Sequence, residues 1–181
     1  MMGCYKQCKH VEITDILKEI ATEQEQKLAQ QKGIGNSTTR PYSGNRDYVG
    51  SIGQNCISDF FETTGMSGGL ILSPYYSPNM HADNFDFEYR GITYDVKSTM
   101  MKKYKFVTGY STYIINDHQQ NKRVGRYCFV SVDLDNDMCH IAGVIDYDKF
   151  WSLSNPAVGD WVKGSAHIIE AKYLMPISDI V

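Results

Sequence analysis

The sequence predicts an α/β (α+β) protein in which helices flank a mixed central β-sheet. Two segments with helical periodicity come first in the chain, and short apolar runs bounded by turn residues, which are typical of strands, follow them. Of the 181 residues, 42% are hydrophobic and 22% are charged, which is the composition of a globular protein. A chain of this length can form one domain with its own core.

Two amphipathic helices are predicted in the N-terminal third. Residues 11–31 carry apolar side chains at helical spacing on a polar background, which is typical of a surface helix. Residues 48–64 carry an apolar stripe at i, i+4, i+5, i+8 and i+9, and Gly65 follows as a helix terminator. The segment between them, residues 33–47, is rich in Gly, Ser, Thr and Asn and predicts a mobile loop.

Six strands are predicted after the helices. They lie at residues 69–73, 84–90, 92–98, 127–133, 138–145 and 166–175, with an Asp-Asn-Asp turn between the fourth and the fifth. We therefore divide the chain into residues 1–47, an N-terminal helix and mobile loop, and residues 48–181, the core with a C-terminal strand extension.

The cysteines and the net charge limit the kinds of site to consider. Five scattered cysteines favour reduced thiols over a disulfide framework. Cys4, Cys8 and His10 begin a metal-binding pattern, but no second Cys/His cluster completes a tetrahedral set. The net charge of −3 means that nucleic-acid binding requires a local basic patch. Without a long apolar run or a signal-peptide pattern, we expect a soluble, cytoplasmic protein with no membrane segment.

Residues 86–98, DFEYRGITYDVKS, predict a tight hairpin whose two-residue turn is Arg-Gly. In this register Phe87 faces Tyr94 across the pair, and Asp86 faces Asp95. Side chains alternate between the two sides of a strand, so one side of the hairpin is apolar and aromatic and the other is charged. We expect the apolar side to face the core.

The charged side of this hairpin predicts a metal site. Asp86 and Asp95 share it with Lys97 and Glu88, and facing carboxylates, with Cβ atoms about 5 Å apart, repel each other unless a cation neutralises them. Carboxylates suit Mg²⁺ or Mn²⁺, and the backbone carbonyl of Val96 can add a third ligand. A lysine beside the metal can orient or help to deprotonate a water, which is chemistry for phosphodiester hydrolysis. The alternative is an amphipathic hairpin whose charges are only solvated.

The stretch DFEYRGITYDVKST resembles the catalytic core of the PD-(D/E)XK nuclease superfamily, whose fold is called restriction-endonuclease-like. In that pattern an acid begins one strand, and a D/E-x-K triplet lies on the next. The resemblance covers roughly residues 48–145. It implies that Asp86 and Asp95 are metal ligands, that Lys97 is the catalytic lysine, and that Mg²⁺ or Mn²⁺ is the cofactor.

Several positions depart from the pattern of this family or compete within it. Members often contribute a glutamate from the first helix, where this chain has Gln54, which can hydrogen-bond a metal-bound water but adds no charge. A two-metal mechanism therefore lacks one of its usual charges. Phe85 stands where the family has proline, and Asp83 competes with Asp86 for the role of first acid. His81 is a further candidate by its nearness in sequence.

Basic side chains flank the predicted site in sequence and form a candidate phosphate-binding rim. They are Lys102, Lys103, Lys105, Arg40, Arg46, Lys122, Arg123 and Arg126. Tyr104, Tyr110 and Tyr113 are candidates for stacking on bases. The alternative is that the charges are solvated and the tyrosines belong to the core or an interface.

These patterns together favour a metal-dependent nuclease that cuts DNA in preference to RNA. The first alternative is a catalytically inactive nuclease-like protein that binds nucleic acid or a protein partner. A second alternative is a small structural or inhibitory protein whose 13 tyrosines form a protein interface. Analogy with small nucleases of this fold also suggests a homodimer or a larger assembly.

Overall fold

A computed structural model describes residues 8–33, 45–73, 85–100, 112–116, 120–121, 124–156 and 166–180. Its helices are α1 (Asp15–Gly33), α2 (Asn45–Thr63) and α3 (Tyr147–Leu153), with 3₁₀ turns at Ala171–Tyr173 and Ile177–Asp179. Its strands are β1 (Lys9–Glu12), β2 (Leu70–Leu72), β3 (Phe87–Tyr89), β4 (Ile92–Met100), β5 (Thr112–Asn116), β6 (Arg126–Asp133), β7 (Met138–Asp146), β8 (Asn155–Pro156) and β9 (Ala166–Glu170).

The strands form two sheets. The larger sheet has six strands in the order β1-β7-β6-β4-β3-β2. Strands β4 and β6 are parallel, whereas the other neighbouring pairs of this sheet are antiparallel. The smaller sheet is antiparallel, with the order β5-β9-β8. The predicted α/β (α+β) class, with a mixed sheet flanked by helices, is confirmed.

Two hydrophobic cores lie on opposite faces of the larger sheet. Strand β6 contributes to both, since Cys128 and Val130 belong to one core and Tyr127 and Phe129 to the other. Helix α2 packs on the first, which we call the α2 core, and helix α3 packs on the second, which we call the α3 core. Each face of the sheet is therefore covered in its central part.

The apolar stripe predicted for the second helix is the face by which α2 packs on the sheet. Its members are each no more than 5% exposed: Ile52, Cys56, Ile57, Phe60 and Phe61. Gly53 permits the close approach, because a Cβ at this position would lie 2.0 Å from Ser98 Oγ on β4. A glycine at the contact is required if α2 is to lie this near to β4.

The N-terminal prediction needs correction at both of its boundaries. Residues 11 and 12 are in strand β1, which pairs with β7, and not in the helix. The helix begins at Asp15, after Thr14, whose Oγ1 accepts a hydrogen bond from the Leu17 N–H at 3.3 Å, as an N-cap does. Helix α2 begins at Asn45, so the end of the predicted 33–47 loop is helical, and residues 34–44 lie outside the described part.

The C-terminal prediction was also incomplete. The strand predicted at residues 166–175 ends at Glu170, and a 3₁₀ turn follows it. Met175 then forms a separate bridge with Val144 of β7. Helix α3 and strands β1, β5 and β8 were not predicted, because each is short and has no long periodic pattern.

The hairpin formed by β3 and β4 has the predicted turn and register. Phe87 faces Tyr94, with ring centroids 4.5 Å apart, and Tyr89 faces Ile92. Arg90 and Gly91 have φ values of 52° and 78°. Positive φ at both central residues is the signature of a type I′ turn, whose twist matches that of the strands. The aromatic side of the hairpin faces the α2 core, as predicted.

Candidate functional site

Asp95 and Lys97 lie on the face of β4 that belongs to the α3 core. The parallel register with β6 places Asp95 beside Tyr127 and Lys97 beside Phe129. Lys97 Nζ lies 2.6 Å from Asp95 Oδ2, and the two side chains are 22% and 3% exposed. The prediction that these two residues share one side of the strand is confirmed.

Asp86 leaves the regular ladder, which corrects its predicted pairing with Asp95. Its N–H donates to the carbonyl of Tyr94 at 2.8 Å, although Tyr94 already faces Phe87. Two residues therefore face one, which is the arrangement of a β-bulge. The break in alternation is visible in the packing, because Phe85 contacts the α3 core and Phe87 lies in the α2 core.

The bulge brings the Asp86 carboxylate to the edge of β4. Asp86 Oδ2 accepts a hydrogen bond from the Val96 N–H at 2.5 Å. The N–H and C=O of one strand residue point to the same side. The Val96 carbonyl therefore points to the side of β4 on which the Asp86 carboxylate lies. The Asp86 carboxylate therefore contacts the backbone of the residue next to Asp95, by a different route from the one that the register predicts.

Gln54 reaches the Asp86 bulge from α2. Its Nε2 donates to the carbonyls of Ser73 and Asp86, each at 3.2 Å. Carbonyls only accept hydrogen bonds, so these contacts fix the orientation of the amide. Gln54 is 8% exposed, and its buried Oε1 receives no hydrogen bond from the residues that the structure describes. A fixed buried oxygen of this kind can coordinate a cation or accept a hydrogen bond from a water or another donor.

The chemical types of these oxygens suit a hard divalent cation. Asp86 and Asp95 supply carboxylates, Val96 a backbone carbonyl, and Gln54 a neutral amide oxygen, and Mg²⁺ and Mn²⁺ prefer such ligands. Two carboxylates and one ammonium, that of Lys97, leave the set with one net negative charge. Within the described ranges, no group of three or more His, Cys, Asp or Glu residues is placed to hold a metal. Any metal here therefore depends on the carbonyl and amide oxygens.

Tyr127 is a neighbour of Asp95 that the sequence reasoning missed. It is fully buried, and its hydroxyl accepts a hydrogen bond from Trp151 Nε1 at 3.3 Å. Burial raises the pKa of Tyr127, the bond from Trp151 opposes this rise, and the charge of Asp95 adds to it. The phenol is therefore neutral, and an uncharged aromatic side chain lies beside Asp95. Only the parallel register between the D-x-K strand and residues 127–133 would have identified it.

Arg126 has an internal role in the structure. Its Nε lies 2.7 Å from Asp146 Oδ1, and its Nη1 donates to the Tyr94 hydroxyl at 3.1 Å. Its side chain is 20% exposed. Both contacts are to the protein itself, so the packing of the chain accounts for this arginine without a phosphate.

The side chains of the other predicted contacts to nucleic acid lie outside the part of the chain that the structure describes. Arg46 lies in the first turn of α2, and only its backbone is described, as is also true of Tyr113 in β5. The remaining candidates lie outside the described residues: Arg40, Lys102, Lys103, Lys105, Lys122, Arg123, Tyr104 and Tyr110. The same holds for Asp83, His81 and Cys4.

A pair of histidines joins β1 to β7 on the far side of the sheet. His10 faces His140 in the ladder, and their Nδ1 atoms are 2.7 Å apart. A hydrogen bond of this kind needs one N–H between the two rings. Burial lowers the pKa of His140, the proximity of His10 lowers it further, and Asp133 opposes the shift. His10, which began the Cys/His pattern in the sequence, is therefore part of a two-histidine contact.

Comparisons with known proteins give no family for this chain. No helix among the described residues is long and apolar enough to span a membrane. No protein-family model matches the sequence, and no curated protein or solved structure matches it significantly.

Proposed function

We propose that this protein is a divalent-metal-dependent nuclease that hydrolyses phosphodiester bonds, with DNA preferred to RNA. The observation that supports this most strongly is the contact of the Asp86 carboxylate with the D-x-K strand at the bulged end of the β3–β4 hairpin. The carboxylate accepts a hydrogen bond from the Val96 N–H, Val96 lies between the ion-paired Asp95 and Lys97, and the amide of Gln54 donates to the Asp86 carbonyl. The resemblance of this stretch to the PD-(D/E)XK nucleases implies a role for the same residues.

The charge of the site favours one metal ion over two. One divalent cation beside Asp86, Asp95 and Lys97 changes the local charge from one negative to one positive, and one phosphodiester then neutralises it. A second cation would leave an excess of positive charge, because Gln54 is neutral. Magnesium or manganese in this position would polarise a phosphoryl oxygen and lower the pKa of a bound water.

The protein's own groups then have separate roles. Asp86, Asp95 and the Val96 carbonyl would hold the cation, and Gln54 fixes the backbone of Asp86 from α2. Lys97, which lies beside Asp95, would orient the attacking water and stabilise negative charge on the phosphate. Tyr127 and the α3 core keep water away from the buried side of Asp95.

The preferred substrate and setting are also part of the proposal. The predicted basic residues on either side of the hairpin, except Arg126, would bind the phosphates of the substrate, and a homodimer would place two active sites on one nucleic acid. Cys56, Cys128 and Cys139 are free thiols. This agrees with action in a reducing compartment, which we propose to be the cytoplasm.

A cleavage assay tests this function. Single- and double-stranded DNA and the matching RNA are incubated with the full chain and Mg²⁺ or Mn²⁺, with EDTA as the metal-free control. We expect metal-dependent cutting by the native protein and loss of cutting in Asp95→Asn. Asp135→Asn is the matched control, because it makes the same change at an exposed turn and should retain full activity.

Two results of this assay would contradict the proposed function or its site. If the folded native protein cuts no substrate with either metal, it is not a nuclease of this type. Salt-sensitive binding to the same oligonucleotides without cutting would then favour the nuclease-like binding protein. Equal cutting by Asp95→Asn would place the activity elsewhere.

A further inference from the structure

The ion pair between Lys97 and Asp95 occupies one side of the proposed metal site. The ammonium lies 2.6 Å from the carboxylate, and the Asp95 side chain is only 3% exposed. A carboxylate this deeply buried needs a positive charge close by, because water does not solvate it. In the protein without metal, Lys97 is a source of that charge.

A divalent cation and the Lys97 ammonium cannot both take this position. A cation bound to Asp95 would lie within a few ångströms of the ammonium, and like charges at that distance repel strongly in a buried site. Lys97 can move away, because its side chain is flexible and is 22% exposed. Asp86 does not have to move, since its carboxylate is held by the Val96 N–H.

We propose that Lys97 is the resident counter-ion of Asp95 and that binding of a divalent cation displaces it. This inference rests on the proposed function and goes beyond it. Displacement would free the Lys97 ammonium to contact the phosphate of the substrate. Lys97 would therefore become active only when the cation is bound. Without the cation, Lys97 neutralises Asp95 and the site is inactive.

The proposal predicts that removing the lysine charge strengthens metal binding. Lys97→Met keeps most of the side-chain volume but removes the competing charge. We expect its affinity for Mn²⁺ to rise by about tenfold or more, which corresponds to about 1.4 kcal/mol. Lys97→Arg keeps the charge and can hold the carboxylate with two hydrogen bonds, so its affinity should equal that of the native protein or be lower.

Calorimetric titration of the full chain with Mn²⁺ measures this without relying on activity. The variants are the native protein, Lys97→Met, Lys97→Arg and Asp95→Asn, which should bind Mn²⁺ weakly. Lys97→Gln is added in case the buried carboxylate prevents Lys97→Met from folding. Thermal unfolding gives a second readout, because Mn²⁺ should raise the midpoint of Lys97→Met and Lys97→Gln by more than that of the native protein.

The outcomes separate this inference from the proposed function. If the native protein binds Mn²⁺ and cuts DNA, but Lys97→Met and Lys97→Gln bind no more tightly, the counter-ion proposal is wrong and the nuclease remains. If none of the folded proteins binds Mn²⁺, both proposals fail. Tight binding by Lys97→Met or Lys97→Gln, with weaker binding by Lys97→Arg and the native protein, supports displacement.

Discussion

Gly53 offers a test of how closely α2 must lie against β4. An alanine Cβ at this position would be 2.0 Å from Ser98 Oγ and 3.0 Å from Ser98 Cβ. The hydroxyl can rotate away, but the Cβ is fixed to the backbone of β4. Overpacking of this kind costs about 1 to 3 kcal/mol, whereas the better helix propensity of alanine returns about 1 kcal/mol. We expect Gly53→Ala to lose about 1 kcal/mol of unfolding free energy.

Urea denaturation measures the change, and the site supplies a second readout. Gly68 has nothing within 4 Å of an added Cβ, so Gly68→Ala should change stability by no more than about 0.5 kcal/mol. A shift of α2 also lengthens the bonds from Gln54 to Ser73 and Asp86, so Mn²⁺ affinity should fall in Gly53→Ala. Adding Ser98→Gly should restore part of both. A Gly53→Ala protein more stable than the native one would refute the close packing.

Three further variants or conditions test other parts of the structure. Gln54→Glu cannot donate to the two carbonyls that Gln54 binds, so its free energy of unfolding without metal should fall by about 2 kcal/mol. Mn²⁺ should restore its thermal midpoint, and a midpoint that Mn²⁺ leaves unchanged would contradict a cation near Gln54. Arg126→Met should lower unfolding free energy by about 1 kcal/mol and leave DNA affinity unchanged, whereas weaker, less salt-dependent binding would make Arg126 a phosphate contact. Burial and then His10 lower the pKa of His140 in the folded state, so, as the pH falls below about 6.5, this histidine is protonated first in the unfolded chain. The stability that depends on His140 should therefore be full above that pH and decline below it. Urea denaturation at several pH values should show a flatter decline in His140→Asn.

The hairpin shows what the sequence could predict. The Arg-Gly turn and the alternating aromatic residues determine the register, because a two-residue turn allows only one pairing and one side must be buried. The placement of Asp95 and Lys97 on one face follows from the same alternation. The α2 stripe was predictable for a similar reason, since its helical period extends over several turns.

The position of Asp86 was not predictable in this way. The bulge depends on contacts from distant parts of the chain: the Asp86 carbonyl accepts bonds from the Ser73 N–H and from Gln54. Gln54 is 32 positions from Asp86 and 19 from Ser73, so no local pattern records these bonds. Strand β1 was missed because its pairing with β7 outweighs the helical pattern that begins at residue 11.

Asp86 is also the residue through which the proposed nuclease is tested most directly. Asp86→Asn retains an oxygen that can accept the Val96 N–H, so the fold should be kept while the charge is lost. The measurement is single-turnover cleavage of labelled DNA over a range of Mg²⁺ concentrations, with Asp135→Asn as the control. We expect a rate loss of about 10³-fold in Asp86→Asn that saturating Mg²⁺ does not recover. Cleavage at the native rate would contradict the assignment of this bulge as the metal site.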